Sequence, residues 1–341
     1  MLQLLKKYRC AIMGFSALWI EAFHVSFPML YNNDRLAHLE TVVKHFGFCG
    51  VDIFLFLSGM GLVYAIQKSS LLVFYVRRIQ RVIVPFVLMG ILQAFLENWS
   101  LLSFVQNIFC YSFFFKNIFS FLWFVPMIIT LYAVFPLYFQ LFIKSTNKTI
   151  FTISALALWL IVSLCFKDTA RTDIWFFTNR IPIFTVGILI GYISQQTDIV
   201  ADRLTWITLS ILFVLGVLLA YLTNYRDYYV LVPASNCCVP TFLLAISICF
   251  LLSKMLNMLL KTKGLKGIGE MVLGILNFYG SISIELYCIQ EYLVSKFLYP
   301  LLKAYLAGVL YNIPLNLTIL LILTGIAWVI HYGSQWIWKH A

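Results

Sequence analysis

The chain has 341 residues, of which 62% are hydrophobic and 11% charged, with a net charge of +11 and a mean hydropathy of +0.93. A soluble domain carries about 25% charged residues, so this composition excludes an ordinary soluble enzyme and describes a polytopic membrane protein. The positive balance does not point to nucleic acid, because Lys and Arg are distributed as loop anchors and form no single basic patch.

Ten apolar runs are long enough to be read as spans, at about 10–30, 48–67, 82–97, 121–143, 150–166, 179–194, 204–223, 239–255, 271–294 and 315–338. The expected fold is an all-α bundle of transmembrane helices, a single membrane domain over 1–341 with no separate soluble domain. Lys6, Lys7 and Arg9 precede the first run and no small-residue cleavage site follows it, so it reads as a retained helix. An even number of spans puts both termini on one side. Lys and Arg are roughly twice as frequent in the connections on that side, which makes it the cytoplasmic one.

The first span carries Glu21 and His24. Ionisable groups in a membrane helix need a partner or a cavity and are functional candidates by default. Three residues apart, the two share a helix face. The alternative is a polar pair that holds helices together. The segment 31–47 reads as an outer loop with His38, Glu40 and His45, rich enough in hydrogen-bonding groups to hold a polar acceptor beside His24 or else an ordinary solvated loop, the second being the reading for His38 and His45 individually.

Asp52 stands at the outer edge of the second span, where Ser58, Gly59 and Gly61 form a small-residue face for helix packing or for approach of a substrate. Arg77, Arg78 and Arg81 follow in the connection before the third span. Arg78 and Arg81 project from one face, and guanidinium groups suit phosphate. Three arginines at such a boundary also serve as positive-inside anchors. The run 103–115 is too short to cross and is expected to lie in the interface or re-enter.

In the fourth span Trp123 suits an interfacial belt, and Pro126 and Pro136 are expected to kink the helix. Arg180, beside Pro182, is placed at the outer mouth, where it can pair with Glu21 or Asp52, steady a developing anion, or reach headgroups. The outer loop 224–238 is rich in Tyr. The ninth span carries Glu285, Gln290 and Glu291 at membrane level, and Glu285 is deep enough to need a partner. The tenth reads as uniformly apolar. None of the eight cysteines forms a CxxC, and neither a disulfide framework nor a metal site is indicated.

Taken together, His24 near the end of a basic-flanked first span, GVDIFLFLSGMGL at 50–62, FYVRRIQRVIVPF at 74–86, LWFVPMIITLY at 122–132, RIPIFTVGILIGY at 180–192 and SISIELYCIQ at 281–290 resemble the acyltransferase-3 family of bacterial integral-membrane acyltransferases. The resemblance covers the chain almost end to end, in the family's order. It implies acyl-CoA (acetyl-CoA above all) as donor, a glycan or lipid-linked sugar hydroxyl as acceptor, and a multi-pass protein of the bacterial cytoplasmic membrane. It implies further that His24 is the family's essential histidine, as general base on the acceptor hydroxyl or as a transient acyl relay; from their own positions, Glu21 is expected to orient its ring and Arg180 to stabilise charge at the outer mouth. Arg78 and Arg81, with Arg77 beside them, match the motif expected near the CoA phosphates. Asp52, Ser58, Trp123, Glu285 and Gln290 remain as substrate-facing or structural polar positions. Two positions depart from the family pattern: Met13 stands where an Arg is usual, with Arg9 one turn earlier, and Gln290 stands where a His is frequent. Two other readings are a transporter or flippase of a lipid-linked sugar, with Glu21, His24 and Glu285 as a proton relay, and a catalytically silent family member.

Overall fold

The computed structural model describes residues 1–25, 28–30, 34–116, 122–165, 172–197, 200–226 and 238–340. Every regular element among them is helical. Most of the Tyr-rich loop 224–238 lies outside the described residues.

The core is built on α1 (Leu2–His24) and α3 (Gly50–Ile66). Of α3, Val51 through Leu57 are all buried, which is why its sequence is apolar on every side. The helix α1 is too charged to pass for a span by composition, since Lys6, Lys7, Arg9 and Glu21 fall within its 23 residues. It is nevertheless central, and packs against α3, α12 (Val239–Lys261), α13 (Lys266–Ser281) and α14 (Ser283–Leu293). Eight other helices are long and apolar enough to cross a membrane, and the bent pair 263–281 and 283–306 makes a ninth. The ten expected spans are these nine and α1. At the periphery, α8 (Lys148–Cys165) and α11 (Arg203–Arg226) leave Leu158, Ile161, Ile211 and Val214 exposed, the pattern of a lipid-facing surface.

Close crossings hold the core. A methyl group at Gly14 would overlap the Leu276 carbonyl, and one at Gly280 the Cys10 carbonyl, so α1 and α13 touch backbone to backbone. Gly59 of α3 and Gly187 of α10 (Ile181–Gln196) make a second such crossing, against the carbonyls of Phe184 and Phe56. Packing is thus the role of Gly59.

Local chemistry sets several helix ends. Ser70 accepts from the Val73 N–H (3.4 Å) and starts α4 (Leu71–Leu96); Asp202 accepts from the Thr205 N–H (2.8 Å) and starts α11. With its start at Ser70, α4 begins eleven residues before the expected third span. Arg77, Arg78 and Arg81 are therefore inside a helix and not in a connection. The segment expected to be a loop at 31–47 contains α2 (Asp34–His45), joined to α3 through a tight turn at Phe46–Cys49. Its charged residues suit the outer face of a helix as well as a loop. The run 103–115 forms two short helices, α5 (Leu101–Ile108) and α6 (Tyr111–Phe115), separated by Cys110 at φ 60°.

Pro126 lies in the first turn of α7 (Phe124–Lys144), where no intrahelical N–H is required, so it initiates the helix and does not kink it. Pro136 is interior. The ninth span is broken: α13 and α14 meet at Ile282 and the helix pair is bent by 74°. After α15 (Tyr299–Leu306), α16 (Ile313–His340) packs against α14 and α4.

Candidate functional site

Chemistry-bearing side chains gather at both ends of α1. At its N-terminal end, Arg9 is joined by Arg78 and Arg81 from α4 and by Ser283 and Tyr287 from α14 around a cavity. Met13, Phe54, Ser58, Phe124 and Tyr132 also line it. A second, roomier cavity shares Arg9, Met13 and Arg81 with the first and adds Arg77, Gln80, Glu285, His331 and Gln335. Adjacent arginines on α4 thus face different cavities, with Arg81 between them. On α14, Glu285 and Tyr287 are two residues apart and so lie on opposite faces of the helix, with Tyr287 at the first cavity and Glu285 at the second.

Arg9, Arg78 and Arg81 lie within electrostatic reach of one another. No ion pair among the described residues involves any of these three or Arg77. The Arg9 Nε–H donates to the Leu57 carbonyl (3.1 Å), and its guanidinium lies over Gly61, where a side chain would collide with it. Of the small-residue face, then, Gly59 packs a helix, Gly61 makes room for an arginine and Ser58 lines the cavity. The Arg78 guanidinium lies 5.7 Å from the Phe74 ring and 5.9 Å from the Tyr132 ring, and its buried Nε makes no hydrogen bond. Converging guanidinium groups repel one another, and this is chemistry that favours an anion between them. Met13, one turn along α1 from Arg9, lines the same cavities.

The deep carboxylate Glu285 has a partner that the sequence reading missed. His331, in the run read as uniformly apolar, lies with Nδ1 2.7 Å from Glu285 Oε1. The Gln335 amide N–H donates to its Nε2 at 2.8 Å, which leaves Nδ1–H to donate to Glu285. The one available signal was the His itself, a lone ionisable group in an intramembrane run. Gln290 is buried on the same helix as Glu285, with both amide atoms unpartnered.

Midway, Arg180 and Asp52 form a pair buried to 2% and 1% exposure, with Nε 3.4 Å from Oδ2. Of its two expected partners, Arg180 takes Asp52. It also donates to the Phe176 carbonyl (2.9 Å) and lies 4.7 Å from the Trp123 ring centroid. Trp123 is thus a stacking partner for a buried cation. Tyr287, whose buried hydroxyl has no hydrogen-bond partner, packs its ring 4.9 Å from Phe124. It is also within electrostatic reach of Arg180, so it adjoins both the first cavity and the Arg180–Asp52 pair.

At the C-terminal end of α1, His24 is the last helical residue, half-buried, with Phe23 at 5.1 Å. Glu21 is buried at 6% exposure, and the cation acting on it is Lys44. No hydrogen bond joins Glu21 to His24 among the described residues. Lys44 is shared: it pairs with Glu40 (2.8 Å) and donates to Asn316 (3.1 Å). Glu40 in turn accepts from the backbone N–H groups of Met29 (2.7 Å) and Leu30 (3.0 Å), fastening the chain just beyond His24. His45, expected to be solvated, lies 3.1 Å from Asn224 and inside a ring cluster with Phe23 and Phe48. His24 lines neither cavity. Fifteen helical residues separate it from Arg9, a rise of roughly 22 Å.

A family model described as an acyltransferase domain matches residues 12–332. No curated protein and no solved structure gives a match.

Proposed function

Because the chain belongs to the acyltransferase-3 family and is a multi-pass membrane acyltransferase, we propose that it moves an acyl group, acetyl in the simplest case, from acyl-CoA to a hydroxyl of a cell-envelope or exported polysaccharide sugar. The observation that carries the donor assignment is the set of four arginines without carboxylate partners around two adjoining cavities. CoA is a multiply phosphorylated nucleotide, and this is chemistry that suits it. Arg78, Arg81, Arg77 and Arg9 hold its phosphates at the cytoplasmic end, in a bacterial cytoplasmic membrane.

His24 stands at the other end of the same helix and serves as general base through its neutral imidazole, which can accept a proton. It takes the proton of the acceptor hydroxyl while that oxygen attacks the thioester carbonyl. The C–S bond breaks, the thiolate takes the proton, and the products are an acyl ester and free CoA. Glu21 and Lys44 fix the polar surroundings of the base. Arg180 is balanced by Asp52, so its contribution to a developing oxyanion is that of a fixed dipole more than of a free charge.

The test is release of free CoA by the purified protein in lipid nanodiscs, with and without a polysaccharide acceptor. Acceptor-dependent release is expected. A transporter of a lipid-linked sugar would ignore acyl-CoA, and a silent family member would bind it without turnover, so either result would remove the proposal.

A further inference from the structure

The second cavity holds a group that the transfer chemistry does not use. Glu285, 3% exposed, binds His331, and His331 fixes the side chain of Gln335. Three residues from two helices are thereby linked in series beside Arg77 and Arg81. A chain of this kind does not act on a substrate by itself. Its end result is a side-chain amide hydrogen-bonded to His331 at the exposed rim of a cavity whose wall carries three guanidinium groups and the Glu285 carboxylate that His331 engages. Charge alone would be served by the arginines. A fixed neutral donor adds direction, which is how a site tells one arrangement of oxygens from another. The division of Arg77 and Arg78 between two cavities means that two anionic groups can be held apart, with Arg81 serving both.

We propose that the second cavity is a phosphomonoester site, separate from the one at Arg78, in which Gln335, aimed by the Glu285–His331 pair, reads the phosphomonoester on the ribose of the donor nucleotide. The proposal rests on the acyl-CoA reading given above and names which part of the donor each cavity takes. Glu285 and His331 are positioning residues; Arg77 and Gln335 touch the phosphate. The diphosphate falls to Arg78 and Arg81.

The experiment compares the affinities of CoA and 3′-dephospho-CoA for the purified full chain in phosphatidylcholine nanodiscs. Wild type is expected to favour CoA by roughly tenfold to a hundredfold, the range of a charge-assisted hydrogen-bonded contact. In His331→Ala and in Arg77→Gln the two affinities come to within about threefold of each other, while that for dephospho-CoA is unchanged. The unchanged dephospho-CoA affinity shows that the variants are folded, which a merely structural role for His331 would not preserve. Arg78→Gln weakens both ligands alike. Equal binding of the two by wild type, or parallel loss of both in His331→Ala, overturns the proposal. So does a preference for phosphatidic acid over phosphatidylcholine that disappears in Arg77→Gln while CoA and its dephospho form stay equal, because the cavity then belongs to a lipid headgroup. Failure of wild type to bind either nucleotide removes the acyl-CoA reading itself, a result distinct from equal binding.

Discussion

The two ends of α1 are built on opposite principles. At the N-terminal end, four arginines from two helices line two adjoining cavities, and none of them is in an ion pair among the described residues. At the C-terminal end, the buried Lys44 is paired with Glu40 and bonded to Asn316, and His45 is bonded to Asn224. Unbalanced charge around a cavity is unstable until a ligand completes it, whereas a matched polar network fixes geometry without any ligand. The contrast is between cationic groups left around cavities at one end and a matched polar network beside His24 at the other; under the proposed function the first end takes the charged donor and the second carries the base.

The sharpest way to break this division is to remove the imidazole. His24→Ala is expected to lower turnover by about 10²–10⁴, the usual contribution of a general base. Its acyl-CoA affinity stays at the wild-type value, measured by equilibrium binding in nanodiscs. A fall in affinity of similar size would mean that the two ends are not separate.

Between the ends, Asp52→Leu leaves the Arg180 charge buried without its ion-pair partner. That change should destabilise the bundle by about 3–5 kcal/mol, seen as a lower midpoint in thermal unfolding in detergent. Adding Arg180→Met should recover part of the loss. If the single variant melts like wild type, the pair is not what holds α3 and α10 at this level.

Arg78→Gln and Arg81→Gln sharpen the contrast from the other side. Each should weaken acyl-CoA binding by roughly tenfold to a hundredfold, with kcat at saturating donor much less affected. A drop in kcat with KM unchanged would assign the arginines to the reaction and not to capture.

The smallest effect concerns position 13. Arg9→Gln should raise the donor KM about tenfold, and Met13→Arg in that background should restore most of it, because both side chains line the same cavity wall. No rescue would mean that the Arg9 contact to Leu57 is the whole of its role.

Much of the architecture was readable from apolar runs, because in a bilayer a long hydrophobic stretch has few options besides a helix. The pairing of Arg78 and Arg81 on one face and the need of Glu285 for a partner were equally legible, since each follows from helix geometry or from the penalty on a lone buried charge. What escaped was set by tertiary contact. The helix α1 looks like a weak span, and only packing shows it to be the centre. The start of α4 was hidden by its arginines, which are good helix formers but read as a loop boundary. His331 sits 46 residues from Glu285, and no local pattern ties them. The bend at Ile282 has no proline to announce it. The segment after His24 looked solvated because it is charged, yet its charges are spent on each other through Lys44, Glu40 and Asn316.

The most direct test of a site divided along α1 is the acyl content of cell polysaccharide in a deletion strain carrying wild type or His24→Ala at matched membrane levels. The account predicts that wild type restores acylation and His24→Ala does not. Equal restoration by both would contradict it and leave His24 a structural residue.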